Sequence, residues 1–238
     1  VAIISVGWLA YDAVLGETEA PSGQLTAVPL VVNTAAPVEP TATTASAAEA
    51  TATPQAVASG TEPTLFQIIA AESQVSFAIY EELGGQPVTV VGTSNEVAGQ
   101  IALNLSDLSQ TQVGVIQVNA RTLATDNNRR NNAIRNFILN TDQYELITFT
   151  PTAISGLSGT AQAGQAFTFQ ITGDLTIRDV TQSVVFEVTA SGESATRLTG
   201  TATTVIQRSA FNLSIPTVPN VANVGEDVTL EIKFVAGA

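Results

Sequence analysis

Val228-Thr-Leu-Glu-Ile-Lys-Phe234 alternates apolar and polar side chains without a break. On an extended strand, Val228, Leu230, Ile232 and Phe234 fall on one face and Thr229, Glu231 and Lys233 on the other, because successive side chains point oppositely. That pattern suits a sheet with one buried and one wetted face. The same period recurs upstream. Val75, Phe77 and Ile79 alternate with Ser76, Ala78 and Tyr80, and Val97, Gly99, Ile101 and Leu103 form another run. Ile116, Val118 and Ala120 follow within 114–121; Phe167, Phe169 and Ile171 alternate with Thr168, Gln170 and Thr172; Val184, Phe186 and Val188 repeat the theme. Glycines punctuate between them, at Gly84-Gly85, Gly156, Gly159, Gly164, Gly192 and Gly225. Short strands with turn signals at this spacing predict an all-β antiparallel barrel or sandwich.

One segment breaks the period. In Asp126-Asn-Asn-Arg-Arg-Asn-Asn-Ala-Ile-Arg-Asn-Phe-Ile-Leu139, Arg130, Ile134, Phe137 and Ile138 recur at helical spacing. A short inserted helix is expected, with Asp126 placed to cap it and an apolar face able to close one end of a barrel.

The composition narrows the function classes. With 45% hydrophobic and 12% charged residues in 238, the chain can bury a sizeable core. It contains no His, Cys or Met, so the usual agents of near-neutral proton transfer, thiol chemistry and soft-metal binding are missing. The net charge of −13, with every Lys and Arg confined to the stretch from Arg121 to Lys233, argues against nucleic acid as a partner. The plain reading of the acidity is solubility. No phosphate-binding loop, dinucleotide glycine motif, nucleophile elbow or metal spacing is present. Glu81-Glu82 is the one tempting carboxylate pair, but neighbours on a strand diverge, and a solvated loop is the expected setting. These features predict a non-enzyme.

The first stretch, 1–16, is apolar except for Ser5 and Asp12. A membrane span needs about 20 residues. A translated chain begins with Met, so a few upstream residues are expected to complete a signal-anchor helix, with Trp8 and Tyr11 at its outer interface. A cleaved signal peptide and a soluble helix are the alternatives. Residues 17–63, including Pro37-Val-Glu-Pro-Thr-Ala-Thr-Thr-Ala-Ser-Ala-Ala-Glu-Ala-Thr-Ala-Thr-Pro54, have little to bury and read as a disordered linker. The expected division is therefore anchor 1–16, linker 17–63 and β-domain 64–238.

Several segments carry a family resemblance. Val118-Asn-Ala-Arg-Thr-Leu-Ala-Thr-Asp126, then Arg129-Arg130, Ile134-Arg135, Phe137 and Tyr144-Glu-Leu-Ile-Thr-Phe149, resemble the YceI-like polyisoprenoid-binding family. So do Ile171-Thr-Gly-Asp-Leu-Thr-Ile-Arg-Asp-Val-Thr181 and Arg208-Ser-Ala-Phe-Asn-Leu213. The resemblance implies an eight-stranded antiparallel, extended lipocalin-like barrel around an elongated apolar tunnel, with a helix near its mouth. It also implies an isoprenoid ligand and export from the cytoplasm. The sequence departs from the family where histidines often stand, having Glu72 and Tyr80 or Glu81 there, and Asp179 replaces the hairpin glycine.

On that resemblance the tunnel lining would come from Phe77, Ile79, Ile134, Phe137, Phe149, Phe169 and Phe211, each of which would otherwise be ordinary core. Arg130 and Arg135, beside Arg129, would form a cationic lip for a phosphate or quinone head group, since guanidinium donates paired hydrogen bonds. The alternative is structural, with Arg130 or Arg135 pairing with Asp126, Asp142 or Glu145. The expectation is then a lipid-binding protein on the periplasmic or extracellular side of a bacterial membrane, held by a single-pass helix. Its occupant would be a polyisoprenoid, quinone or carotenoid, with no catalytic cofactor or metal. The rival is a non-catalytic accessory or assembly subunit of a larger membrane complex.

Overall fold

The computed structural model describes residues 18–32, 62–162 and 164–238. The expected anchor and most of the expected linker lie outside the described residues. Among those described, no helix is long and apolar enough to cross a membrane.

The β-domain contains thirteen strands among the described residues. They are β1 (Thr64–Ile68), β2 (Gln74–Leu83), β3 (Gln86–Ser94), β4 (Val97–Ala98), β5 (Gln100–Leu103), β6 (Gln112–Val113) and β7 (Ile116–Asn119). After the helical insertion come β8 (Leu146–Ser155), β9 (Ala166–Ile177), β10 (Val180–Ser194), β11 (Arg197–Gln207), β12 (Val221–Ala222) and β13 (Asp227–Gly237). All belong to one curled antiparallel sheet. Long strands β8 to β11 and β13 lie side by side, and β13 pairs on its other edge with both β2 and β1. Those two pair in turn with β3 and β5, while β4 and β5 reach β7 and β6. The last strand is thereby hydrogen-bonded to the first two.

The alternation in the sequence accounts for this. Val75 on β2, Phe186 and Val188 on β10, and Val228 on β13 are buried, whereas Val185 and Val205, one step out of phase, are exposed. Gly84-Gly85 makes the two-residue turn between β2 and β3, with φ of +59° and +78°, a backbone that disfavours any other residue. The run 97–103 is broken at Gly99 into two short strands, and the run 114–121 ends early because Ala120–Thr122 turns into a 3-10 helix.

The inserted helix is shorter than expected and of two kinds. α1 (Asn128–Ala133) leads into a π-helical turn, Ile134–Ile138, in which Leu139 donates its amide to Ile134 O at 2.8 Å. The cap is Asn127, not Asp126: its side chain accepts from the amides of Arg129 and Arg130. Asp126 instead pairs with Arg130.

The stretch 18–32, expected to be free linker, lies against the barrel. Arg121, buried, donates to Ala20 O at 2.9 Å and pairs with Glu19 at 3.0 Å. Glu145 accepts from the Ser22 amide at 2.8 Å, and Asp142 from the Glu19 amide at 3.0 Å. Further along, Ala27 is buried, Leu30 donates its amide to Gln100 at 2.7 Å, and its side chain packs over Gly114. Its small and apolar residues find a surface here that composition alone does not reveal.

Candidate ligand-binding cavities

Two cavities lie inside the curled sheet, one of about 210 Å³ and one of about 120 Å³. Their walls are almost wholly hydrocarbon. The larger is walled by Phe77 and Ile79 of β2, Leu175 and Ile177 of β9, and Leu230 of β13. Ile134, Ile138 and Leu139 close it from the helical insertion, and Leu213 and Ile215 from the segment after β11. The π-helical turn matters here, because it brings Ile134, Ile138 and Leu139 together on the cavity side. The smaller cavity is walled by Leu103, Phe167, Phe169, Val188, Leu198 and Phe234, under a cover made by the loops carrying Leu105 and Leu157.

Ile116, Phe149, Phe186 and Ile232 belong to both walls. Phe149 and Phe186 meet edge to face, with ring centroids 4.9 Å apart and planes at 67°. That geometry is the favoured one for aromatic pairs. The two cavities are therefore compartments of one interior, separated at a waist built by these rings.

Polar groups border only the larger compartment in any strength. Arg130 and Glu81 both reach its wall and bond to each other at 2.9 Å; the second Nη of Arg130 meets Asp126 at 2.6 Å. Glu81 is buried within β2, so the solvated loop expected for Glu81-Glu82 is corrected. Its neighbour Glu82 points away, accepting from Tyr80 and Asn223. Arg208 also reaches this wall. It donates to Gly225 O and Leu213 O at 3.1 and 3.2 Å and pairs with Glu226, tying the closing segment to the start of β13. Hydrogen bonds from the Ser209 hydroxyl and amide, with Arg208 nearby, hold the Glu226 carboxyl below its ordinary range.

Of the sequence-based candidates, Phe77, Ile79, Ile134 and Arg130 stand on the larger compartment, Phe169 on the smaller and Phe149 on both. Three stand elsewhere. Phe137 is 47% exposed on the outer side of the π-helical turn, Phe211 is buried in core packing away from either wall, and Arg135 bonds to Asn132 at 3.0 Å. Helical periodicity could not foresee the change of pitch that turns Phe137 outward. Phe186 and Phe234 were missing from those candidates, although the alternation of their strands already points them inward. Among the described residues no group of three or more carboxylates is placed to hold a metal ion.

An apolar interior inside a curled antiparallel sheet, plugged at one end by a helical insertion, defines a fold of the lipocalin-like β-barrel class. The YceI-like domain model matches residues 66–236, and the chain belongs to that family. Solved structures agree in fold. BcnA of Burkholderia cenocepacia superposes with a TM-score of 0.56 at 21% identity, covering 71% of this chain and 98% of its own. A polyisoprenoid binding domain from Saccharophagus degradans, implicated in plant cell wall breakdown, gives 0.59 at 13%, covering 73% and 98%. The YCEI protein of Campylobacter jejuni gives 0.50 at 18%, covering 62% and 84%. No curated protein matches the chain.

Proposed function

We propose that this protein is a membrane-tethered, extracytoplasmic lipid-binding protein whose barrel holds one long apolar isoprenoid-type molecule, such as a polyisoprenoid, quinone or carotenoid. The observation that carries the reading is the pair of hydrocarbon-walled compartments sharing Ile116, Phe149, Phe186 and Ile232. Taken as continuous runs, β1 with β2, β3 with β4 and β5, and β6 with β7 join β8, β9, β10, β11 and β13 in an eight-strand barrel. That size leaves an interior just wide enough for one slim ligand. Apolar cavities of about 150 Å³ stay dry and take up apolar guests. Each buried methylene contributes about 0.8 kcal/mol, so a long chain binds without any ion pair.

The family membership and the polyisoprenoid binding domain of S. degradans support the ligand class. Arg130 borders the larger compartment beside Glu81, where it would meet a polar head group. The anchor over 1–16 and the reach of the segment beyond it would keep the barrel near its lipid source, raising effective concentration. No step of this reading requires catalysis.

The test is native mass spectrometry of the gently purified full chain, before and after offering geranylgeraniol. A mass increment matching one isoprenoid chain is expected. Persistently empty protein, co-purifying instead with a stable membrane partner, would favour an assembly subunit. Sequencing the mature N-terminus from the membrane fraction checks the tether; a start beyond residue 16 in soluble fractions contradicts it.

A further inference from the structure

We propose that three cross-strand pairs, Phe77 on Gly92, Phe149 on Gly173 and Phe234 on Gly200, keep the interior open by recessing each ring into the wall, and thereby set the width of what enters. The proposal rests on the ligand-binding reading above and assigns its size filter.

The three glycines face inward. Gly92 lies two residues after the wall residue Val90, Gly173 two before Leu175, and Gly200 midway between Leu198 and Ala202. Two of the pairs sit in register across the sheet, Phe77 with Gly92 and Phe234 with Gly200. Each ring takes the space that a side chain on the glycine would occupy. A Cβ at Gly92 would stand 2.5 Å from Cζ of Phe77 and nearer still to Cε1; one at Gly173 would stand 2.6 Å from Cζ of Phe149, and one at Gly200 2.6 Å from Cζ of Phe234. Glycine inside a strand weakens it and marks a place where something must approach the backbone closely. Here the thing that approaches is an aromatic ring.

The consequence is spatial. Phe77 faces the larger compartment, Phe234 the smaller, and Phe149 the waist between them. With a Cβ beneath it, each ring has backbone behind it and only the cavity ahead, so it must swing into the lumen. The pairs are spread along the interior, one per compartment and one between, so all three bear on any chain that runs its length. A slim hydrocarbon passes rings held back in this way; bulkier fused-ring lipids would not.

Gly92 is the cleanest position to test, because the three nearest atoms there all belong to the Phe77 ring, whereas Cβ atoms at Gly173 and Gly200 would also meet Thr150 O at 2.6 Å and Thr189 O at 2.7 Å. The full chain is compared with Gly92→Ala, Phe77→Leu and the double variant. Two readouts are used: xenon uptake by 129-xenon NMR, which reports empty apolar space, and geranylgeraniol occupancy by native mass spectrometry. Gly92→Ala should reduce xenon uptake and lower geranylgeraniol affinity about tenfold, the worth of losing contact with roughly two methylene groups. Adding Phe77→Leu should restore both. A folded Gly92→Ala that matches the parent in both readouts, or a double variant that recovers neither, overturns the proposal, as does a parent chain that takes up no xenon. Should the xenon series behave as expected while no form takes geranylgeraniol, the recessed rings stand and the isoprenoid reading falls. Should Gly92→Ala fail to fold, the same clash predicts that Phe77→Leu rescues folding; failure of that rescue overturns it.

Discussion

Phe186 touches both compartments and meets Phe149 edge to face, so it is at once core and wall. Truncating a buried Phe typically costs about 3–5 kcal/mol, through lost transfer energy and the void left behind. Phe186→Ala should therefore lower the urea midpoint by an equivalent amount while merging the two compartments. Equilibrium denaturation measures the first effect and xenon uptake the second; a variant with unchanged uptake would show that the waist lies elsewhere. The buried contact between Arg130 and Glu81 gives a second case. Arg130→Met leaves a buried carboxylate without its cation and should destabilise by about 2 kcal/mol. A double variant with Glu81→Leu should recover most of that loss, and a double variant no better than the single contradicts the pairing. Residue types were legible in advance where alternation fixed a face, as for Phe77 and Phe169. Partnerships across the fold were not, since nothing local to Glu81 announces that Arg130, far along the chain, will meet it.

At the scale of elements, β2, β7, β9, β10 and β13 followed directly from period-two alternation and the helix from its interruption, whereas β3, β8 and β11 lay outside the alternating runs. Its two pitches did not, because a π-helical turn depends on what its residues pack against. The docked stretch 18–32 was the larger surprise. Its composition resembles that of the linker around it, and only the groups that receive it, Arg121, Asp142 and Glu145, explain its place. Of these, Glu145 makes the docking sensitive to pH. The Ser22 amide and hydroxyl, the Asn119 side chain and Arg121 hold the Glu145 carboxyl below the ordinary glutamate range. A carboxyl depressed in the folded state contributes stability that is present above its unfolded value and lost as pH falls through its folded value. Docking of 18–32 should thus be firm at neutral pH and weaken below the ordinary glutamate range. Hydrogen exchange at the Ser22 amide across that interval measures it. Glu145→Gln should accelerate the same exchange already at neutral pH; protection indifferent to both changes would contradict the assignment.

For the whole molecule, the architecture follows from one demand, that an alternating sheet bury its apolar face against itself. Curling brings β13 onto β1 and β2, and the helical insertion and the segment after β11 cover one end while loops cover the other. The class of fold could be read from the chain because strand alternation and turn glycines are local signals. The interior volume could not, since it depends on whether facing side chains meet or fall short, and here glycines opposite aromatic rings decide that. The most direct measurement is a crystal structure of the full chain grown with geranylgeraniol. Continuous ligand density running from the larger compartment past Phe149 and Phe186 into the smaller is the predicted result. Rings still in contact, with both compartments empty at saturating ligand, would contradict the account.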